Sequence, residues 1–181
     1  MLNLELLEAQ LSELPLYIYH FLTPGELEFS DRIRWICEHE CPMYGGSWAC
    51  PPAVGSVNHC KAKCLTYKNA LVISTITEVA DIANIEETLS TRPDHEAVTN
   101  EVRDLFRAQG IEPYILSTES CAECDRCAWL DGQPCRFPDR MHPCVESHGI
   151  NLLAVLEELG LSFQYGENVV TWFSLLFYNE R

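Results

Sequence analysis

The sequence has few basic residues and lacks the short motifs that mark many enzyme classes. Its 181 residues contain 12 Lys and Arg against 27 Asp and Glu, which gives a formal net charge of -15. An acidic surface repels phosphate backbones and anionic lipid, so we expect no nucleic-acid partner. There is also no glycine-rich nucleotide loop, no Gly-x-Ser-x-Gly elbow and no His-Glu-x-x-His zinc helix. Ordinary hydrolase and dehydrogenase functions are therefore disfavoured.

Long apolar runs are missing too. No stretch approaches the length of a membrane span, and the N-terminal residues lack the basic start and apolar segment of a signal peptide. We therefore expect a cytoplasmic protein that does not bind membranes. Because 47% of the residues are hydrophobic, a chain of this length is expected to bury one core and to form a single cysteine-rich, metal-binding domain over residues 1–181.

Cysteine, by contrast, is abundant, with ten residues. Structural disulfides are rare in a reducing compartment and a chain of this length does not need them, so metal binding or redox use is favoured over a disulfide scaffold. The strongest pattern is Cys121-x2-Cys124-x2-Cys127 followed by Cys135 beside prolines. Three thiols on a two-residue repeat favour an iron–sulfur cluster, although Cys135 does not follow the ferredoxin spacing. Zinc is the alternative, because four thiolates suit it as well.

A second cysteine-rich loop covers residues 37–52 and contains two glycines, three prolines and three thiols: Cys37, Cys41 and Cys50. Irregular loops of this kind are usually functional. The three thiols have no evident fourth partner, and three arrangements stay open. They are a site completed by Cys60 or Cys64, a cluster with one open iron where a small substrate binds, and one centre shared with the other loop.

Three thiols stand outside these two patterns. Cys60 and Cys64 are four residues apart on a predicted helix, where burial against the core is favoured over ligation. Cys144 either replaces Cys135 as the fourth ligand of the Cys121 loop or is an ordinary buried thiol. Trp48 and Trp129 are expected near the thiols, where they would shield a cluster from water or simply pack.

The hydrophobic periodicity predicts an α/β fold, with α+β as the alternative, built from a mixed sheet of about five strands with flanking helices. The predicted strands cover residues 16–22, 69–76, 111–117, 161–165 and 169–178. The predicted helices cover residues 2–14, 32–37, 57–67, 81–91, 94–109 and 145–159. Both cysteine-rich loops are expected at one end of the sheet. The run 172–178 suits either a central strand or a dimer edge, so a homodimer stays open.

The motifs taken together resemble a known family. The residues that carry the likeness are Cys37-x3-Cys41-Pro42-x-Tyr44-Gly45, Trp48-Ala49-Cys50-Pro51-Pro52, the Cys121 run, Pro134-Cys135-Arg136-x-Pro138 and Glu146-x2-Gly149-Ile150. They are similar to the predicted metal-binding family called domain of unknown function 2284, from about residue 30 to the end. The resemblance implies a cysteine-ligated metal, with an iron–sulfur centre favoured, in a small cytosolic protein of anaerobes. It does not supply a reaction.

Carried over by position, the resemblance implies seven metal ligands: Cys37, Cys41, Cys50, Cys121, Cys124, Cys127 and Cys135. Cys60, Cys64 and Cys144 are extras, and the family more commonly has serine at the position of Cys144.

The leading hypothesis is an iron–sulfur redox protein with one or two clusters of the 4Fe-4S type. The first cluster would be held by Cys121, Cys124, Cys127 and Cys135. Its expected partner is a redox protein or a small-molecule substrate, and whether it is an oxidoreductase component stays open. The alternatives are a non-enzymatic zinc module, whose thiolates only fix the loops, and a carrier of metal or clusters.

Overall fold

The computed structural model describes residues 2–180, which form six α-helices, four β-strands and three short 3-10 helices. The helices are α1 (Leu4–Leu11), α2 (Asp31–His39), α3 (Val57–Cys64), α4 (Ile85–Ser90), α5 (Arg92–Ala108) and α6 (Leu152–Glu158). The strands are β1 (Ile18–Leu22), β2 (Asn69–Glu78), β3 (Tyr114–Leu116) and β4 (Val169–Tyr178). The 3-10 helices are Pro24–Glu26, Ala128–Asp131 and Glu146–His148. None of the helices in this part of the chain is long and apolar enough to cross a membrane.

The four strands form one antiparallel sheet in the order β1-β2-β4-β3. The longest pairing joins β2 to β4 over ten residues, from Asn69 opposite Tyr178 to Glu78 opposite Val169. The final apolar run is therefore a central strand. The fold is α+β, and the expected mixed α/β sheet is wrong. The apolar run of β2 resembles a strand of a parallel sheet because helices cover both faces here, and that burial does not depend on strand direction.

The expected fifth strand, at residues 161–165, does not form in the described chain. Leu161 N–H instead donates to Leu156 O at 2.8 Å, which closes the end of α6. The Ser162 hydroxyl accepts from Gln164 N–H at 3.2 Å and donates to Gln164 O at 2.7 Å. These local bonds occupy backbone groups that a strand would have offered to β4, so the segment stays a turn.

Two helix predictions also change. The helix expected over residues 145–159 is interrupted at Gly149, whose φ of 73° lies in the left-handed region, and α6 begins only at Leu152. The helix expected to begin at residue 94 begins at Arg92, so that Pro93 lies in the first turn of α5. Proline is tolerated there because the first N–H groups of a helix have no partner within the helix.

Each face of the sheet has its own core. Alternate residues of a strand point to opposite faces, so Ala70 and Val72 pack with α6 on one side, whereas Leu71 and Ile73 pack with α1 and α5 on the other. On the α5 side Phe106 is fully buried. The Cys121 segment begins a few residues after β3, so the sheet sets where that segment starts.

A chain of buried polar side chains connects α5 to the end of β3. His95 Nδ1 lies 2.8 Å from Thr75 Oγ1, and His95 Nε2 lies 2.8 Å from Ser174 Oγ. Ser174 Oγ is 3.2 Å from Ser117 Oγ, which donates to Glu96 at 2.7 Å. Burial lowers the pKa of His95 to about 4, so the ring is neutral at pH 7. The network holds Ser117, the residue that follows β3, in a fixed position.

Candidate metal centre

Eight of the ten cysteines line two cavities, and all ten are free thiols. The Cys37 cavity has a volume of about 240 Å³, and its thiols are Cys37, Cys41, Cys50 and Cys144. The Cys121 cavity has a volume of about 20 Å³, and its thiols are Cys121, Cys124, Cys127 and Cys135. The second set is the one that the spacing of the sequence grouped together. The first set joins the three thiols of the other loop to a cysteine from a remote segment.

Helix α2 brings Cys37 to its cavity. The helix begins where the Ser30 hydroxyl accepts from Arg32 N–H at 3.2 Å. Cys37 and Arg34 are three residues apart and share the buried face of the helix. The Ser30 N–H also donates to Gly149 O at 2.7 Å. The start of α2 is thereby attached to the segment that carries Cys144.

Arg34 connects the three segments that surround the Cys37 cavity. Its guanidinium is buried and donates to Gly55 O at 2.7 Å and to Ser147 O. Gly55 follows the loop that contains Cys50, and Ser147 follows Cys144. One side chain on α2 therefore holds both of the other thiol-bearing segments through their backbone carbonyls.

Cys144 is held beside the end of β3 by backbone pairing. Ser117 N–H donates to Pro143 O at 2.8 Å, and Val145 N–H donates to Ser117 O at 3.1 Å. The Ser147 N–H then donates to Cys144 Sγ at 3.3 Å, which fixes the sulfur as well as the backbone. Because of this pairing, Cys144 lines the Cys37 cavity. Cys144 does not line the cavity that contains Cys135.

The two cysteine-rich loops pack directly against each other. Ser120 Oγ lies 3.2 Å from Cys50 Sγ and 3.2 Å from Ser47 Oγ. On the other side of the contact, Trp48 Nε1 donates to Gln133 O at 3.0 Å, and its ring meets Trp129 edge to face at 4.7 Å between centroids. Because Ser120 lines the Cys37 cavity and the next residue lines the Cys121 cavity, the two cavities are adjacent.

The Cys121 cavity is formed by an irregular loop with little regular structure besides the 3-10 helix Ala128–Asp131. Its four thiols are half-buried. Arg136 donates to Arg126 O at 2.8 Å, and Arg126 pairs with Asp131 at 2.8 Å on the exposed surface. The arginine beside Cys135 thus bonds the backbone of its own loop and helps to fix the loop around the thiols.

Burial makes several of these thiols hard to ionise. It raises the pKa of Cys37 to about 11, with a further rise from the nearby Glu146 carboxylate, and it raises the pKa of Cys144 well above its ordinary value. Burial also raises the pKa of Cys121. These three groups are therefore neutral thiols at pH 7, and a metal that binds them must displace their protons.

Cys60 and Cys64 line neither cavity. Cys60 Sγ donates to Val54 O at 3.3 Å, and Cys64 is fully buried in the core between the sheet and α6. Both are buried on one face of α3, where the sequence favoured a core role for them. The position that they might have filled beside Cys37 is occupied by Cys144.

The thiols line the walls of the cavities and do not converge on a point. Within residues 2–180, no three His, Cys, Asp or Glu side chains are arranged to hold a single metal ion. A zinc ion would require four sulfurs about 2.3 Å from one centre. By donor type, however, four thiols around each cavity suit a thiolate-bound metal centre, because soft ligands select zinc and iron–sulfur clusters.

Arg34 was not identified from the sequence pattern, and Cys144 was considered there only as a fourth ligand for the Cys121 loop. Arg34 was recognisable in principle, because its three-residue spacing from Cys37 places both on one helical face. The position of Cys144 had no such local signal, because it depends on the pairing of its segment with Ser117.

Comparison with known proteins gives one match. No curated protein and no solved structure matches the chain. The profile of a family described as predicted metal-binding protein matches residues 20–178, which include all ten cysteines. The description names no particular metal. Because the match covers most of the sequence, the chain belongs to this predicted metal-binding family, DUF2284.

Proposed function

We propose that this protein binds an iron–sulfur cluster at the Cys121 cavity and that it takes part in one-electron redox chemistry. The observation that carries the proposal is that one irregular loop surrounds a cavity with four thiols: Cys121, Cys124, Cys127 and Cys135. Four thiolates with this close spacing are the usual ligand set of such clusters. When bound, the cluster would supply reversible transfer of one electron. Family membership supports metal binding in general.

The residues around the loop suit a centre that exchanges electrons with a partner. Its thiols are only half-buried, so a redox protein can approach closely. Trp129 of this loop packs edge to face on Trp48, which holds the loop against the other cysteine-rich loop. The net charge of -15 favours a partner with a basic docking surface, because complementary charge speeds association.

A structural zinc site is the second candidate, and the size of the cavity favours it. A volume of about 20 Å³ holds roughly one water molecule, so in this conformation it has room for an ion and not for four irons and four sulfides. Binding a cluster requires the loop to open. Between Gly132 and Phe137 the loop contains no helix or strand, so opening it disrupts no regular element. With zinc, the protein would be a non-enzymatic interaction module.

The test is metal and sulfide analysis of protein purified without oxygen. We expect iron and acid-labile sulfide in equal amounts, together with a broad visible absorption that dithionite bleaches. The Cys135→Ala variant should lose the cluster of this loop, whereas the control Cys64→Ala, a core thiol outside both cavities, should retain it. A colourless protein with zinc and no sulfide would overturn the proposal and favour the zinc module. Unchanged iron in Cys135→Ala would remove Cys135 from the ligand set.

A further inference from the structure

We infer that the Cys37 cavity is a second, complete four-thiol site, in which Cys144 joins Cys37, Cys41 and Cys50 as the fourth ligand of an iron–sulfur cluster. The inference rests on the proposed function, because both sites are assigned to the same kind of centre. It differs from that proposal in the location of the site and in the role given to Cys144.

The first argument is that the fold brings together thiols from three separate segments. Cys37 comes from the last turn of α2, Cys41 and Cys50 come from the loop after it, and Cys144 comes from the segment paired with Ser117. Hydrogen bonds from Ser30 and Arg34 connect these segments. A cavity surrounded by four thiols from distant positions is not explained by local sequence, and none of the four is in a disulfide.

The second argument is the size and lining of the cavity. At about 240 Å³ it is far larger than the space that a single ion needs, and its thiols are not arranged around one point. Apolar side chains complete much of the wall, among them Ile33, Ile36, Met43 and Pro51. A roomy, largely apolar cavity with dispersed thiols suits a cluster of several atoms, which meets each thiol at a different corner.

The third argument is that two of the four sulfurs already have hydrogen-bond partners. Ser147 N–H donates to Cys144 Sγ at 3.3 Å, and Ser120 Oγ lies 3.2 Å from Cys50 Sγ. After deprotonation Cys50 Sγ can accept from that hydroxyl, so both bonds persist in the thiolate state. Hydrogen bonds to ligand sulfurs are one of the means by which proteins set the potential of a cluster.

The fourth thiol changes what the site can do. Three thiols would leave one iron open to a substrate, whereas four thiols complete the ligand set and favour electron transfer. The neighbouring Cys121 cavity begins one residue after Ser120, so the chain would hold two centres side by side.

The experiment counts iron and acid-labile sulfide per chain after reconstitution with ferrous iron and sulfide in the absence of oxygen. Two clusters correspond to about eight irons per wild-type chain. We expect about four in Cys144→Ala and about four in Cys135→Ala, because each variant would lose a different cluster. The double variant should retain close to none. The control Cys64→Ala, a core thiol outside both cavities, should retain about eight.

The two proposals fail differently. If the wild type takes up about four irons, all lost in Cys135→Ala and all kept in Cys144→Ala, the inference is overturned while the proposed function stands. A wild type that binds no iron or binds only zinc overturns both. A full complement in Cys144→Ala would show that Cys144 is not a ligand, and it overturns the inference.

Folding of the variants is checked on the metal-free proteins by their urea midpoints. Cys144 is 8% exposed, so a second variant that perturbs the core less is also needed. Cys41 is only half-buried, and Cys41→Ala should lose the same cluster as Cys144→Ala. Should Cys144→Ala fail to fold, retention of about eight irons in Cys41→Ala would overturn the four-thiol site, and a fall to about four would support it.

Discussion

Replacing Arg34 with methionine should destabilise the metal-free protein by about 3 kcal/mol. The guanidinium is 7% exposed and donates to two backbone carbonyls, Gly55 O and Ser147 O. Hydrogen bonds from a charged donor contribute about 1.5 to 3 kcal/mol each, so their gross contribution is roughly 3 to 6 kcal/mol. Methionine is unbranched and fills similar space but offers no donor, so both carbonyls lose their charged partner in a buried position.

Part of this loss is offset. The wild-type guanidinium is itself removed from water, and its Nε has no hydrogen-bond partner among the described residues. Leaving one buried donor unpaired costs about 1 to 3 kcal/mol, and the variant is relieved of that cost. The difference between these terms leaves a net destabilisation of about 3 kcal/mol.

Urea unfolding at pH 7, followed by circular dichroism, measures this directly. With a slope of about 2 kcal/mol per molar urea, the midpoint should fall by about 1.5 M. The matched control is Arg32→Met, two residues earlier on the exposed face of α2, which should stay within about 0.5 kcal/mol of wild type. If Arg34→Met and Arg32→Met unfold at the same urea concentration, Arg34 does not hold the segments around the Cys37 cavity together, and the reasoning is refuted.

Three other perturbations have defined outcomes. Gly149→Ala should lower the free energy of unfolding by about 2 to 4 kcal/mol, because φ is 73° and a Cβ would lie 3.0 Å from Ser30 O and from two methyl carbons of Val57. Phe106→Ala should lower it by about 3 to 5 kcal/mol, because the ring is fully buried. The third is a change of pH. His95 has a pKa of about 4 in the folded protein, below its unfolded value near 6.5. Its contribution to the free energy of unfolding is therefore complete above pH 6.5 and is lost as the pH falls toward 4. That loss amounts to at most about 3 kcal/mol, and the difference between the urea midpoints of wild type and His95→Gln from pH 7 to pH 4 measures it, because burial lowers the pKa of His142 and of His148 as well.

Each of these has a matched comparison. Gly160 also has a left-handed φ, but no atom lies within 4 Å of an added Cβ, so Gly160→Ala should cost only about 1 to 2 kcal/mol. An equal loss of stability in Gly149→Ala and Gly160→Ala would contradict the steric argument. Phe163 is 48% exposed, and Phe163→Ala should cost less than Phe106→Ala. His95→Gln cannot titrate, so its stability should fall less steeply between pH 6.5 and pH 4. An equal slope in wild type and His95→Gln would show that other groups cause the pH dependence.

Local patterns predicted the regular elements better than the way they pair. The apolar run of β2 and the final strand were predicted within a few residues, because each requires only a continuous buried stretch. The prediction of a strand at 161–165 was wrong. The Ser162 hydroxyl forms hydrogen bonds with the backbone of Gln164, and the hydrophobic pattern of the sequence does not show that such local bonds replace strand pairing. The direction of pairing was wrong for a related reason, since helices on both faces make an antiparallel strand as apolar as a parallel one.

The sequence by itself determined the family and the close grouping of Cys121, Cys124, Cys127 and Cys135, because thiols separated by a few residues cannot move far apart. Only the tertiary structure decided that Cys144 lies beside the Cys37 loop. Its location depends on backbone hydrogen bonds to Ser117 and on the carbonyls held by Arg34, which join segments far apart in the chain. Such contacts follow from the packing of the whole sheet, and no local spacing encodes them.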